Sequence, residues 1–191
     1  MKNALYLGLD PSRFGEKVTH YPIIEIVPRP KEELEAHFQH LEKCDTVIFT
    51  SRSAIPIYME FARVKRPCIV VGRATKELAW QNGLHVKACA TLEQGEGVVQ
   101  ILEEERYFFP HSSSARSVVQ EKIKGYAFTL YDTVPTKKRI DWTPYETLVF
   151  TSPSTVRAFV QLYGEIPKNK EIVSIGPITE SELETFSRRL K

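Results

Sequence analysis

The chain contains one short pattern twice, and this duplication restricts the folds that it can form. Val47–Ala54 reads Val-Ile-Phe-Thr-Ser-Arg-Ser-Ala, and Leu148–Thr155 reads Leu-Val-Phe-Thr-Ser-Pro-Ser-Thr. Each copy is an apolar run that ends in small hydroxyl residues and precedes a helical pattern. A pair of glycine-containing turns follows in the same order, Val70–Thr75 after the first copy and Ser174–Thr179 after the second. Two matched strand-to-helix units predict two similar α/β halves.

Helical and extended patterns alternate through the middle of the chain, from Lys31 to the end of a helix predicted over Ala115–Lys124. Such alternation is typical of a parallel sheet that is covered on both faces. Two extended runs, Ile23–Val27 and Phe128–Val134, flank this region and resemble each other in length and β-branched content. We expect these runs to pair antiparallel as a two-stranded connector.

The predicted fold class is therefore α/β, with two small parallel-sheet lobes of the Rossmann or flavodoxin-like type, the second inserted into the first. The outer lobe would comprise residues 1–21 and 135–191, and the inserted lobe residues 28–127. Residues 22–27 and 128–134 would form the hinge between them. The segment Asp10–His20 is short and polar, and we expect it to hold at most one turn of helix.

Composition excludes several classes of protein. A net charge of +2 gives no case for nucleic-acid binding, and we expect no membrane span. The three cysteines have neither paired nor metal-ligand spacing, which favours reduced thiols in a cytoplasmic protein. His37 and His40 lack a third ligand, so no metal site is predicted. The glycine-rich motifs of NTPases and dinucleotide enzymes are absent from the sequence.

The turns that follow four of the predicted strands, at Thr50, Arg73, Thr151 and Pro177, form the predicted ligand surface. In open α/β sheets ligands lie outside the carboxyl ends of the strands. Backbone N–H groups, hydroxyls and helix N-termini at such an edge favour anions. The alternative is that the hydroxyl residues only cap the helices.

Six short motifs occur in one order along nearly the whole chain: Pro22–Pro28, Asp45–Ser51, Val71–Thr75, Leu130–Val134, Val149–Val156 and Ile175–Thr179. In this order they resemble the uroporphyrinogen-III synthase family. The resemblance implies two α/β domains joined by a two-strand ladder, with the reaction in the cleft between them. It also implies cyclisation of the linear tetrapyrrole hydroxymethylbilane to uroporphyrinogen III, with inversion of the last pyrrole ring, loss of water and no cofactor. We therefore expect a cytoplasmic monomer that receives this small molecule from hydroxymethylbilane synthase and binds neither nucleic acid nor membrane.

Tyr131 matches the tyrosine of the family's Tyr-x-Thr motif at the hinge. The resemblance implies that its phenol acts as the general acid when the terminal hydroxyl leaves to give an azafulvene. Strand alternation places Tyr131 on one face with Thr129 and Thr133, opposite Leu130. The alternative is that Tyr131 is a hinge residue packed against one lobe.

Residues in the turns are expected to bind the substrate's carboxylates, mainly through backbone N–H groups. Those that match the family's turn positions are Thr50, Ser51, Thr75, Thr151, Ser152, Ser154 and Thr179. Ser113 and Ser114 lie in a similarly placed turn, and Arg52 and Arg73 would add positive charge, as would Arg116, unless these arginines are only surface residues. The other function that the sequence leaves open is a catalytically reduced tetrapyrrole-binding or sugar-phosphate-binding α/β protein.

Overall fold

The chain forms two sheets built mainly from parallel strands, with helices packed against each. The computed structural model describes residues 3–12, 14–90, 92 and 95–188. The strands are β1 (Ala4–Tyr6), β2 (Val18–His20), β3 (Ile24–Pro28), β4 (Thr46–Phe49), β5 (Cys68–Val71), β6 (Val86–Ala90), β7 (Arg106–Ser112), β8 (Lys124–Pro135), β9 (Thr147–Phe150) and β10 (Glu171–Ser174). The helices are α1 (Lys31–Phe38), α2 (Ala54–Phe61), α3 (Arg73–Gln81), α4 (Gly95–Val99), α5 (Pro153–Tyr163) and α6 (Pro177–Arg188), with short 3₁₀ helices at Gly15–Lys17 and Gln39–Lys43.

The chain divides into two compact units. The first unit comprises Met1–Glu25 and Thr133–Lys191, and the second comprises Ile26–Asp132. A four-stranded sheet has the order β10-β9-β1-β2, with every pair parallel. A six-stranded sheet has the order β3-β8-β7-β4-β5-β6, and it is parallel from β8 to β6. The predicted α/β class with parallel sheets is confirmed.

The two copies of the repeated pattern form the central strands of the two sheets. All four residues of β4 and all four of β9 are buried, as expected for a parallel strand with neighbours on both sides. The predicted bounds of both strands, Thr46–Phe49 and Thr147–Phe150, agree with the structure. A continuous apolar run was therefore a sufficient signal at these positions.

Alternate residues of β4 supply the two cores of the second unit. Val47 and Phe49 pack with side chains from α1, α2 and α3 on one face of the sheet. Ile48 lies on the other face, in a cluster with Val98 of α4 and Val119 of the segment between β7 and β8. Both faces of the six-stranded sheet are covered, as the alternation predicted.

The first unit covers its two sheet faces differently. Leu148 and Phe150 of β9 form a cluster with residues of α5 and α6. Val149 points to the other face, where Phe14 and Val18 pack against it from the segment that follows β1. In its described residues that segment holds one 3₁₀ turn, as predicted. It also contains β2, which the sequence analysis missed because a strand of three residues, two of them exposed, carries little pattern.

The two predicted hinge segments pair antiparallel, as expected, and this pairing lies within a larger sheet. β3 and β8 are hydrogen-bonded neighbours, but both belong to the six-stranded sheet, because β8 also pairs in parallel with β7. Arg29 N donates to Leu130 O at 3.0 Å and Thr136 N donates to Ile23 O at 2.9 Å, which gives β3 and β8 an antiparallel register. The segment beginning at Phe128 is thus the second half of a strand that starts at Lys124.

The prediction of a helix over Ala115–Lys124 is wrong. Residues 113–123 form turns, and β8 begins at Lys124, so too few residues separate β7 and β8 for a helix of that length. Ser112 Oγ accepts a hydrogen bond from Ser114 N at 3.2 Å, a local bond that competes with helix formation. Val119 still reaches the core from these turns, which explains why the apolar spacing resembled a helix. The predicted start of the preceding helix at Gln94 and the predicted end of the last helix at Leu190 lie outside the described residues.

Candidate functional site

The predicted ligand turns lie at the carboxyl ends of neighbouring parallel strands. β4 and β5 are parallel neighbours, so the turns that begin at Thr50 and Gly72 share one edge of the six-stranded sheet. β9 and β10 bring the turns at Thr151 and Gly176 to one edge of the four-stranded sheet. β7 and β8 are parallel to β4, which places Ser113 at the same edge as Thr50. Each sheet therefore carries its own set of hydroxyl-rich turns.

Tyr131 lies at this edge of the six-stranded sheet, but its side chain is only 2% exposed. The side chains of Ser51 and Ser53, in the turn between β4 and α2, influence the ionisation of its phenol. Burial raises the pKa of Tyr131, while the two serine hydroxyls act in the opposite direction by stabilising the phenolate. The phenol therefore keeps its proton at neutral pH, beside the predicted binding turn.

A β-bulge orients Tyr131, and it overturns the face assigned by strand alternation. On β7 His111 and Ser112 are consecutive, but their partners on β8 are Thr129 and Tyr131, so Leu130 is the extra residue. Leu130 and Tyr131 consequently pack into the same cluster, together with Phe128. Without the bulge, Tyr131 would share the opposite face with Ala127. Bulges next to active sites commonly re-aim a side chain in this way.

The turn after β9 is held by a capping box. Thr155 N donates to Ser152 Oγ at 3.4 Å, and Ser152 N donates to Thr155 Oγ1 at 3.2 Å. Thr151 N also donates to Thr155 Oγ1, at 3.2 Å. The backbone N–H groups of Thr151 and Ser152 are therefore occupied inside the turn. This corrects the prediction that such groups bind carboxylates here, and it leaves the side chains of Thr151, Ser152 and Ser154, all partly exposed, as the polar surface.

Gly8 makes room for Thr151. A Cβ atom at Gly8 would lie 2.5 Å from both Oγ1 and Cγ2 of Thr151. His20 Nε2 donates to the Gly8 carbonyl at 2.8 Å, which fixes the chain where it leaves β1. The sequence analysis did not select Gly8, although a glycine directly after a buried strand often marks a close approach.

Thr75 and Thr179 occupy equivalent positions in the two repeats, and both are buried, at 5% and 2% exposure. Each lies three residues after a glycine with positive φ, which is Gly72 (75°) for Thr75 and Gly176 (86°) for Thr179. Thr179 Oγ1 donates to Ile175 O at 3.1 Å. The structure therefore buries both threonines in the first turns of α3 and α6, rather than exposing them on the surface of the preceding turns.

Several predicted charged and polar residues at the sheet edges are engaged with neighbours. Arg73 pairs with Glu77 at 2.7 Å. The Ser113 side chain and the Arg29 guanidinium, whose Nη1 donates to Asp132 Oδ2 at 3.0 Å, lower the pKa of the Asp132 carboxyl. Ser114 is exposed, and its hydroxyl is hydrogen-bonded to that of Ser112. Arg116 is exposed and forms a bidentate ion pair with Glu96. Arg52 is exposed as well. Asp132 and Ser53 were missed, although both adjoin residues that the sequence analysis had selected.

His111, near the end of β7, makes stability depend on pH. Its side chain is buried, Nδ1 donates to Ser112 O at 2.9 Å and Nε2 accepts from Gln120 Nε2 at 2.8 Å. Burial lowers the pKa of His111, with the Ser112 carbonyl opposing. A lowered folded-state pKa contributes stability above the unfolded value of about 6.5, and that stability is lost as the pH falls through the folded-state value.

We therefore expect His111→Gln to be destabilised at neutral pH, and the difference from the unmodified protein to narrow as the pH falls below about 6.5. Denaturant unfolding of both proteins across that range measures the difference directly. A difference that does not change with pH would show that His111 protonation has no effect on folding.

The described part of the chain contains neither a metal-binding cluster nor a membrane-spanning helix. Within it, no cluster of three or more His, Cys, Asp or Glu side chains could hold a metal ion. His37 Nδ1 is hydrogen-bonded to the Tyr126 hydroxyl at 2.8 Å, and His40 stacks on the same ring at 3.9 Å between centroids. Among the same residues, no helix combines the length and apolar character that crossing a bilayer requires.

Comparison with solved structures identifies the fold. A mutant uroporphyrinogen III synthase from Thermus thermophilus aligns with a TM-score of 0.67 and 13% identity, over 96% of this chain and 88% of that chain. The uroporphyrinogen-III synthetase of Helicobacter pylori 26695 aligns with a TM-score of 0.64 and 17% identity, over 97% of this chain and 89% of that chain. At such low identity, the likeness establishes the shared fold.

Comparison of sequences identifies the family. A putative uroporphyrinogen-III synthase of Methanothermobacter thermautotrophicus is 26% identical, with 89% of this chain and 80% of that protein aligned. The family model described as uroporphyrinogen-III synthase HemD matches residues 10–189. This match includes both copies of the repeated strand-to-helix unit and the bulged strand that carries Tyr131, and the chain therefore belongs to the uroporphyrinogen-III synthase family.

Proposed function

We propose that the chain is itself a uroporphyrinogen-III synthase, which cyclises hydroxymethylbilane, inverts its last pyrrole ring and releases water. Family membership implies an enzyme of the lyase type in tetrapyrrole biosynthesis. The observation that carries the proposal is the position of Tyr131 at the carboxyl edge of the six-stranded sheet, where the serine turn after β4 influences its phenol. This arrangement places a proton donor beside a hydroxyl-rich turn, and the reaction needs both features.

In this proposal Tyr131 supplies the proton that leaves with the terminal hydroxyl. Hydroxide is a poor leaving group, and protonation allows it to depart as water and leave an azafulvene. The raised pKa of Tyr131 supports a role as an acid rather than a base, because the phenol stays protonated at neutral pH. The reaction changes no oxidation state, so the proposal includes no cofactor.

The hydroxyl residues of the turns bind the carboxylates that every pyrrole ring of the substrate carries. Partly exposed hydroxyls at the sheet edges support this role, with Arg52 adding charge next to Ser51. Buried Thr75 and Thr179 contribute by holding the turns in shape. The remaining binding residues in the proposal are Thr50, Ser51, Arg73, Ser113, Ser114, Thr151, Ser152 and Ser154.

The setting of the reaction is also part of the proposal. We infer a cytoplasmic monomer that receives hydroxymethylbilane from hydroxymethylbilane synthase. Cys44, Cys68 and Cys89 are free thiols, which supports a reducing compartment.

Incubation with hydroxymethylbilane generated in place, followed by oxidation and chromatographic separation of the isomers, tests the proposed activity. We expect the type III isomer to dominate. Formation of the type I isomer alone, the product of spontaneous closure without inversion, would contradict the proposed activity. If the protein formed no type III isomer but still bound hydroxymethylbilane, it would be a catalytically reduced tetrapyrrole-binding protein instead of a synthase.

Ser152→Asp is expected to weaken substrate binding without weakening the fold. Asp caps a helix as well as Ser does, so the free energy of unfolding should change by no more than about 0.5 kcal/mol. The added charge repels a carboxylate, since like charges about 4 Å apart near a protein surface cost about 1 kcal/mol or more. We therefore expect KM to rise roughly tenfold.

Ser152→Ala is the matched comparison: it removes the cap, which should cost about 1 kcal/mol of stability, and it removes one hydroxyl contact, which should raise KM only about threefold. Steady-state kinetics and denaturant unfolding of both variants separate the two effects. Equal KM values for the Ala and Asp variants would argue against an anionic ligand at this turn.

A further inference from the structure

Three consecutive residues of β8 are held in place around the bulge, and Tyr131 is the middle one. Leu130 O accepts a hydrogen bond from Arg29 N at 3.0 Å, and Tyr131 O accepts one from Ser113 N, also at 3.0 Å. Asp132 Oδ2 accepts a third bond, from Arg29 Nη1 at 3.0 Å. Arg29 therefore joins the residues on both sides of Tyr131, one through its backbone and the other through its side chain.

The bulge that aims Tyr131 has an alternative register. Ser112 pairs with Tyr131 in the structure, and pairing with Leu130 instead would continue the regular ladder between β7 and β8. A shift of one residue moves the side chains of a strand to the opposite face of the sheet. Tyr131 would then leave the cluster that it shares with Leu130 and Phe128. The position of the phenol thus depends on the contacts that keep the bulge at this point.

The ion pair between Arg29 and Asp132 is better suited to fixing this geometry than to stabilising the fold. Its two side chains are 39% and 30% exposed, and ion pairs with that much solvent contact add little to the free energy of unfolding. Arg29 Nε also contacts Glu33 Oε1 at 3.2 Å, which ties the same guanidinium to α1. Because two carboxylates from different elements hold the planar guanidinium, its position is fixed relative to both α1 and β8.

We propose that Arg29 is a positioning residue, which acts through Leu130 and Asp132 to hold the Tyr131 phenol where the reaction needs it. An error of about 1 Å in the position of a reacting group can lower a rate roughly 10²-fold. Arg29 itself touches no reacting atom in this inference, so its whole contribution passes through Tyr131. The inference rests on the proposed function, because it takes Tyr131 as the proton donor.

Kinetics of Arg29→Gln test the proposal. The change removes the ion pair and keeps the backbone bond to Leu130, so we expect a folded protein in which kcat for type III formation is roughly tenfold lower and KM is little changed. Glu33→Gln is the matched control, because it removes the other partner of the same guanidinium and leaves the bond to Asp132; it should be fully active. Equal losses of activity in both variants would assign the effect to the attachment of α1 and would overturn the proposal.

Combined substitutions distinguish positioning from a general loss of structure. If Arg29 acts through Asp132, Arg29→Gln should lower kcat no further in a protein that already carries Asp132→Asn. If Arg29 acts on the phenol, Arg29→Gln should not lower the residual kcat of Tyr131→Phe either, because no phenol is left to position. Independent, multiplicative losses in either background would contradict the proposal.

A measurement without substrate separates failure of this inference from failure of the proposed function. In protein labelled with ¹³C at the tyrosine ζ carbon, the Tyr131 resonance is assigned by its loss in Tyr131→Phe. We expect it to shift in Arg29→Gln and to stay in place in Glu33→Gln. An unshifted resonance in a folded Arg29→Gln protein would overturn the positioning of Tyr131 by Arg29, whatever the kinetics show. An unmodified protein that forms no type III isomer would overturn the proposed function, while the resonance would still decide whether Arg29 positions the phenol.

Discussion

Replacing Tyr131 by Phe is expected to lower the rate of type III formation by roughly 10²-fold, the lower end of the range for general acid catalysis. The change removes the phenolic proton and nearly preserves the ring, which packs beside Phe128 and Leu130. Ser51 and Ser53, in the neighbouring turn, are partly exposed and can bind water, so the loss of stability should be about 1 kcal/mol. Spontaneous closure would then compete better, and the product should move towards the type I isomer.

Tyr126→Phe is the matched control for this experiment. Tyr126 lies on the same strand and faces the same cluster, but its hydroxyl bonds His37 rather than the serine turn. We expect this variant to form type III at the unmodified rate. A folded Tyr131→Phe protein with an unchanged rate would show that the phenol is not the proton source, and binding by the turns would then have to account for catalysis.

Gly125→Ala is expected to destabilise the second unit by about 3 kcal/mol or more, the cost of forcing backbone apart in a packed interior. Gly125 pairs with Tyr107 in the β7–β8 ladder and has φ of 136°. A Cβ atom there would lie 2.1 Å from Tyr107 O and 2.6 Å from Tyr107 N, and neither backbone atom can move without breaking the ladder. Because β8 also carries Tyr131, the same change should reduce activity.

Gly164→Ala serves as the control, since Gly164 has φ of 94° and a Cβ atom added there would meet nothing within 4 Å. It should cost only the conformational penalty of about 1–2 kcal/mol. Denaturant unfolding of the two variants measures the difference, which isolates the backbone clash. Equal losses would contradict the close approach of β7 and β8.

The central strands and the family could be predicted from the sequence because their signals are local and repeated. β4 and β9 are continuous apolar runs followed by Thr-Ser, the local pattern of a buried parallel strand. The segment between β7 and β8 misled the analysis because the spacing of Val118, Val119 and Ile123 suits a helix. Those side chains fill the core from turns instead, since β8 begins too early to leave room for a helix.

The turns that make up the candidate site could be predicted from the sequence, but their hydrogen bonds could not. Hydroxyl residues after parallel strands identified the edges, whereas their hydrogen-bond partners depend on contacts distant in sequence. The bulge at Leu130 arises from pairing with β7, and strand alternation therefore gave the wrong face for Tyr131. Thr155 occupies the backbone donors of the β9 turn, and its place three residues after Ser152 was the one local signal of that capping box.

The dependence of the isomer ratio on protein concentration tests the central claim most directly. Hydroxymethylbilane closes spontaneously to the type I isomer, so catalysis must compete with a fixed background rate. With the rate of hydroxymethylbilane supply held constant, we predict that the type III fraction rises with protein concentration until type III is nearly the sole product. A type III fraction that stays the same at every protein concentration would contradict the assignment of this chain as a uroporphyrinogen-III synthase.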